Sequence, residues 1–216
     1  MSAVSAAVCP VCASPGEISF VKSGVPYAVC PGCACCYAAA PIPESVRATS
    51  NDNGASRNSR ETNLEVLRRI EAMRAPRAVL DFGCGNGELS ALINAEKPYR
   101  AIPVDRDTPV RLEDVAAGSV DVVIMREVVE HIARPLPLFR RFAEVLAPGG
   151  FVYLESSFTD HLGDPARSGY VDPRIDHCLV HSAGSLELTA WMAGFGARWL
   201  NRNVAFLERR ERRGGA

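Results

Sequence analysis

One stretch restricts the architecture more than any other: RAVLDFGCGNGELSALI, residues 77–93. An apolar, β-branched run ends in Asp81, glycine then stands at every second position, and a helical pattern begins. A strand feeding a glycine-rich turn feeding a helix is how open α/β sheets hold a nucleotide-like ligand. The spacing of Gly83, Gly85 and Gly87 is G-x-G-x-G. Dinucleotide binders use G-x-G-x-x-G and seat a pyrophosphate on the helix N-terminus. Here Asp81 immediately precedes the loop, where a carboxylate repels phosphate but suits an ammonium group. A dinucleotide-dependent oxidoreductase is the weaker reading.

The following segments repeat the alternation. RAIPVDRD (100–107) reads as a second strand ending in Asp105, eighteen residues past Gly87. An acid there accepts hydrogen bonds from both hydroxyls of a ribose. Residues 120–125 within GSVDVVIMREVVEHI form a further buried strand by their apolar content. LPLFRRFAEVLAPGG then places Leu138, Phe142, Val145 and Leu146 at helical spacing, stopped by Pro148, Gly149 and Gly150, and FVYLESSF follows as a strand. Strands alternating with helices predict a parallel sheet. Leu64, Leu67 and Ile70 predict a helix from Glu61 that ends before Pro76.

Taken in order, VLDFGCGNG, Asp105, SVDVVIMREVVEHI, RRFAEVLAPGGFVYLE and HSAGSLELTAWMAGF resemble class I S-adenosylmethionine-dependent methyltransferases. The resemblance covers about residues 64–207 and points to the subgroup acting on small molecules in quinone and natural-product pathways. It implies a Rossmann-like, doubly wound, mostly parallel sheet and S-adenosylmethionine as cofactor. Asp81 and the loop of Gly83, Cys84, Gly85 and Gly87 would hold its methionine part, Asp105 its ribose, and Arg106 would lie beside the adenine. The family often places an acid at the tip of the third strand, and Asp114 is the convenient candidate. Yet only fourteen residues separate Asp105 from Ser119, too few for the usual helix and full strand. Either the sheet abbreviates an element or the adenine wall is built differently. Arg126 joins the cofactor-binding set, with an acceptor carboxylate or Glu130 as its alternative partners.

Methyl transfer from a sulfonium is an in-line displacement, so alignment and desolvation dominate, and a base is needed only for a protonated acceptor. All four histidines fall where the resemblance puts the acceptor. His131 and His161 are the candidate catalytic bases. His177 and His181 form H-x3-H, which on a helix would bring two metal ligands to one face, but the resemblance favours packing or pocket lining for this pair. Trp191, Phe195 and Trp199 suit a final helix and strand packed on the sheet. The charged end LERRERRGGA reads as solvated.

Six of the eight cysteines lie in the first forty residues. Cys9 and Cys12, then Cys30 and Cys33, make two C-x2-C pairs seventeen residues apart. Two such knuckles complete a tetrahedral S4 shell for structural Zn²⁺, with Gly32 supplying a left-handed residue. Residues 17–29 read as two strands around a Ser23-Gly24 turn, which is a zinc-ribbon plan. Cys35 and Cys36 are surplus, one of them an alternative to Cys33 or both packed as small hydrophobes.

The expected organisation is a zinc-ribbon-like module over 1–40, a linker over 41–60, a methyltransferase domain over 61–210 and a tail over 211–216. A formal net charge of −1 gives nothing global to attract nucleic acid or anionic lipid. With neither a signal peptide nor a spanning apolar run in the sequence, the expectation is a cytoplasmic protein. Its expected partner is a small-molecule methyl acceptor, with no membrane association, nucleic acid disfavoured and a homodimer open. The expected function is methylation of O, N or C of a small metabolite. The alternative is a non-catalytic protein of the same fold whose zinc module binds a protein or RNA.

Overall fold

In the computed structural model, residues 7–47 and 59–210 of the 216 are described. The expected linker lies partly outside this range and the expected tail wholly outside it. The N-terminal segment holds β1 (Ala7–Val8), β2 (Pro15–Gly16), β3 (Phe20–Lys22), β4 (Val25–Val29) and β5 (Cys36–Ala38). β3 and β4 pair antiparallel around Ser23 and Gly24, both left-handed at φ 48° and 79°. Two consecutive positive φ angles match the right-handed twist of a hairpin.

Ser59 opens α1 (Arg60–Met73) by accepting the Thr62 amide on its hydroxyl, a cap that satisfies one otherwise orphaned N–H. Then come β6 (Ala78–Phe82), α2 (Glu88–Glu96), β7 (Arg100–Val104), β8 (Val120–Arg126), α3 (Pro135–Val145), β9 (Leu146–Glu155), β10 (Leu179–Val180), α4 (Ala183–Met192), β11 (Phe195–Asn201) and β12 (Val204–Arg209). The main sheet has the order β11-β12-β9-β8-β6-β7. β7, β6, β8 and β9 are parallel, while β12 and β11 are added antiparallel. Helices α1 and α2 bury Leu67, Ile70, Leu89 and Ile93 on one face, and α3 and α4 bury Phe139, Phe142 and Leu186 on the other. Cover on both faces explains why β8 runs apolar without alternation from Val122 to Met125. The chain order reverses between β6 and β8, and that switch point is where such sheets open a crevice at the strand ends.

The missing span between Asp105 and Ser119 is resolved as an abbreviation. Instead of a helix and strand there is one 3-10 turn, Leu112–Asp114, whose Leu112 and nearby Val115 plug the core beside β7. Arg141 of α3 secures it by donating Nη2 to the carbonyls of Leu112, Glu113 and Val115 at 3.2, 3.2 and 2.6 Å. Two expectations shift. α3 ends at Val145 and passes directly into β9, so Pro148 does not stop it. Trp191 is 57% exposed, with the Arg210 guanidinium over its ring at 4.9 Å, rather than packed on the sheet.

Arg141→Met keeps most of the apolar stem but removes the guanidinium donor from three carbonyls, two of them on buried residues. Denaturant unfolding should show a loss of about 1–3 kcal/mol, and an unchanged midpoint would contradict this role for the guanidinium.

Candidate active site

At the switch point the chain must turn sharply between β6 and α2. The Gly83 amide donates to the Val104 carbonyl at 2.8 Å, drawing the loop against β7. Gly83 has φ 74°, and a Cβ on it would stand 2.3 Å from Val128 Cγ2, so only glycine fits. Gly85 and Gly87 are also left-handed, but nothing lies within 4 Å of where their Cβ atoms would be. They leave an open floor. The Gly85 amide donates to Asp105 Oδ2 at 2.9 Å and the Arg106 amide to Oδ1 at 2.6 Å, which fixes the carboxylate at the rim. Arg106 itself is exposed.

Beneath the loop, Asp81 is buried and accepts the Ser90 hydroxyl at 2.7 Å. Burial raises its pKa, opposed by that hydrogen bond and by the Arg126 charge. Burial, with Asp81 and Asp105 nearby, pushes the Cys84 thiol up to about 11, which keeps it protonated and unreactive. Asp114 sits in the 3-10 turn, exposed, and accepts the Arg111 amide at 3.1 Å. No third strand exists there for it to tip.

Beyond β8 and β9 lies a cleft of about 340 Å³ lined by Thr62, Arg69, Arg126, Glu127, Glu155 and Asn203, among others. Arg126 donates to Asn63 Oδ1 at 2.8 Å and pairs with Glu155 at 3.4 Å. Glu130, the partner expected of it, is engaged elsewhere. Its carboxyl is fully buried, with the Tyr170 hydroxyl 2.5 Å from Oε1 and the Ser156 hydroxyl donating to Oε2 at 3.0 Å. The same Tyr170 oxygen lies 3.0 Å from Glu127 Oε2. One phenolic proton serves one carboxylate at a time. Burial raises the Glu130 pKa, opposed by the hydrogen bonds from Tyr170 and Ser156.

His131 ends the 3-10 turn Val129–His131, and its Nδ1 lies 3.1 Å from the Asp176 carbonyl. A carbonyl only accepts, so Nδ1 carries a proton, and in the neutral ring Nε2 keeps the lone pair. Desolvation lowers the His131 pKa, partly offset by that carbonyl. Its ring meets His177 edge-on at 4.8 Å. His177 in turn donates Nδ1–H to the Tyr170 carbonyl at 2.6 Å. His161 stands exposed in the turn Thr159–His161. The H-x3-H is not helical: β10 runs between its two histidines. His181 points instead into the protein, fully buried, with Nδ1 2.8 Å from Ser185 Oγ.

The polar group around Tyr170 was not legible from sequence, because the loop carrying Tyr170 has no periodicity to place it. One signal was available in EVVEH, where Glu127, Glu130 and His131 crowd the tip of a buried strand. Glu127 adopts φ 51° there, a left-handed conformation unusual outside glycine.

At the N-terminus, the cysteines gather without any disulfide. Cys9 and Cys33 Sγ lie 3.6 Å apart and Cys12 and Cys30 Sγ 3.4 Å apart, with all four sulfurs within 4.8 Å of one another. The left-handed residues of the knuckles are Ala13 and Ala34, at φ 60° and 58°, and not Gly32. Glycine at 32 answers a different need, since a Cβ there would stand 2.6 Å from Ser14 Oγ and 3.4 Å from Cys12 Sγ. Cys35 Sγ lies 3.5 Å from Cys9 and from Cys33, beside the group of four. Cys36 faces the opposite side, packing with Tyr27 and Val180.

Comparison with known proteins agrees with this geometry. A family described as "Methyltransferase domain" matches residues 55–198. A ubiquinone biosynthesis O-methyltransferase of Bordetella avium is 29% identical over 120 residues, 43% of this chain and 48% of the relative. Its counterpart in Cereibacter sphaeroides is 36% identical over 95 residues, 34% and 38% of the two chains. The match thus spans less than half the length of these curated relatives. In structure, an S-adenosylmethionine-dependent methyltransferase from Archaeoglobus fulgidus superposes with TM-score 0.55 at 24% identity, covering 67% of this chain and 72% of that one. A 1,6-didemethyltoxoflavin-N1-methyltransferase of Burkholderia thailandensis, solved with S-adenosylhomocysteine, gives 0.58 at 14% identity, covering 90% and 100%. Among the described residues no helix is long and apolar enough to cross a membrane.

Burial lowers the His181 pKa from 6.5 to about 4. Between those values the unfolded chain binds a proton that the folded protein refuses, so stability falls as pH falls through that window, by up to about 3 kcal/mol. His181→Phe should flatten this limb in unfolding measured from pH 7 to 4. A wild-type acid limb in the variant would show that another group sets it.

Proposed function

Because this chain belongs to the S-adenosylmethionine-dependent methyltransferases, we propose that it transfers a methyl group to O, N or C of a small-molecule metabolite. The observation carrying this reading is the switch-point loop: an open glycine floor at Gly85 and Gly87, a buried Asp81 beneath it, and an oriented Asp105 at its rim. These residues fit the cofactor, since a Cβ at either open glycine would fill the cradle. Asp81 with Gly83, Cys84, Gly85 and Gly87 would hold the methionine part, and Asp105 the ribose. Arg106 and Asp114, within the shortened segment, would line the adenine. Arg126, tied to Asn63 and Glu155, would border the methionine end. When bound, S-adenosylmethionine supplies a sulfonium methyl group for in-line displacement.

The chain's own residues then have three tasks: alignment, exclusion of water, and removal of a proton where the acceptor carries one. The relatives' names favour a hydroxyl oxygen as acceptor. His131 is the better base of the two expected, because the Asp176 carbonyl fixes its tautomer and leaves Nε2 free to accept a proton. His161, exposed on its turn, would serve as an acceptor contact.

The four cysteines would hold structural Zn²⁺. At Zn–S bonds of about 2.3 Å, the edge of a tetrahedral S4 shell is about 3.8 Å, close to the spacings of 3.4 and 3.6 Å across the two knuckles. The Val11 amide pointing at Cys9 Sγ, at 3.4 Å, supports the thiolate. Four sulfurs close the shell and leave no position for substrate.

Calorimetric titration with S-adenosylmethionine should show micromolar binding that weakens by about 1.5–3 kcal/mol in Asp105→Ala, as expected when charge-assisted hydrogen bonds are lost. Absence of binding to folded protein would refute the reading. Elemental analysis should find one zinc per chain, abolished in Cys30→Ser.

A further inference from the structure

The segment between β9 and α4, residues 156–182, carries His161, Tyr170 and His177, yet has little regular structure of its own. It contains two 3-10 turns and the two-residue β10. Its order therefore comes from what it touches, and much of what it touches is the cysteine module. β10 is the edge strand of a four-stranded sheet whose other members, β5, β4 and β3, all come from that module. Leu179 pairs with Tyr37 and Val180 with Cys36, and the Ala38 amide donates to the Cys178 carbonyl at 2.8 Å. Leu179 is buried within the cluster that contains Cys9, Cys30 and Cys35.

The second knuckle makes the most specific ties. Two consecutive carbonyls just past its turn, those of Cys33 and Ala34, accept the hydroxyls of Ser182 at 2.5 Å and Thr159 at 3.0 Å. Ser182 is the N-cap of α4, and Thr159 opens the turn that bears His161. Deeper in, the fully buried Tyr27 donates its hydroxyl to the His177 carbonyl at 2.8 Å, and Lys22 Nζ donates to the Ser168 carbonyl at 2.6 Å. The glycine loop and Asp105 are held by a different set of contacts, from β7 and Val128.

We propose that the cysteine module is a positioning element of the acceptor site: metal on Cys9, Cys12, Cys30 and Cys33 holds the second knuckle in shape, and the knuckle holds residues 156–182 over the strand ends. Thr159 and Ser182 are the positioning residues that transmit this. The cofactor half of the site is independent of the metal. This rests on the methyltransferase and zinc readings above.

Hydrogen exchange by mass spectrometry on the full chain tests it, comparing zinc-loaded, chelator-stripped and zinc-restored samples, with S-adenosylmethionine titrated into each. Stripping should accelerate exchange at 157–163 and 177–182 by at least about tenfold, reversibly, while cofactor affinity stays unchanged. Equal protection in all samples would overturn the proposal. So would concerted loss of protection in β6 to β9 together with cofactor binding, since the module would then be a prop for the whole fold. Thr159→Val in zinc-loaded protein should loosen the His161 turn without releasing metal, and unaltered exchange there would remove the transmission step. A chain that takes up no zinc defeats the metal reading, and a zinc-loaded chain that binds no cofactor defeats the methyltransferase reading, so the three failures are distinguishable.

Discussion

The approach of Gly83 to Val128 is the constraint on which the site depends. A single methyl group at Gly83 would sit 2.3 Å from a valine side chain that it cannot displace without moving the tip of β8. Because the contact is that close, the loop after β6 and the turn after β8 are locked together across the switch point. One consequence is the fixed Gly85 amide, which orients Asp105 on the neighbouring strand. Another is the sharp turn of the chain after Arg126, with Glu127 left-handed, which presents Glu127, Glu130 and His131 within one short segment. Close-packed interiors transmit such contacts because neither partner can yield.

Around this hinge the protein separates two electrostatic environments. On the proposed cofactor side, Asp105 at the rim faces the Gly85 and Arg106 amides, and Asp81 beneath it accepts the Ser90 hydroxyl. On the acceptor side, acids and bases are compensated. Arg69 meets Glu65, Arg126 meets Glu155, and the Tyr170 hydroxyl lies between Glu127 and Glu130. Burying the Glu130 carboxyl penalises its charged form and raises its pKa, and desolvation lowers the pKa of the adjacent His131.

Much of the sheet was legible because glycine spacing and apolar runs report local geometry directly. The motif at 81–87, the acid at 105 and the strand at 120–125 each fall where the sequence puts them. So does the helix after Ser59, whose cap and apolar spacing are both local signals. The shortened segment after Asp105 was also readable, as a simple shortage of residues, though not its replacement by a 3-10 turn pinned by Arg141, which is a contact between distant parts of the chain. The same limit explains the other misses. H-x3-H read by helical spacing suggests a shared face, but pairing of β10 with β5 makes the segment extended. Tyr170 has no local pattern, and its role appears only when a loop folds back over Glu130. By sequence Gly32 offers torsional freedom, whereas the structure uses its lack of a side chain.

A crystal structure of the zinc-loaded full chain with S-adenosylhomocysteine would locate cofactor and metal together. The ligand should lie over the 83–87 loop with its ribose hydroxyls on Asp105, and anomalous scattering at the zinc edge should fall between Cys9, Cys12, Cys30 and Cys33. Ligand bound elsewhere, or an 83–87 loop left bare at saturating concentration, would contradict this placement.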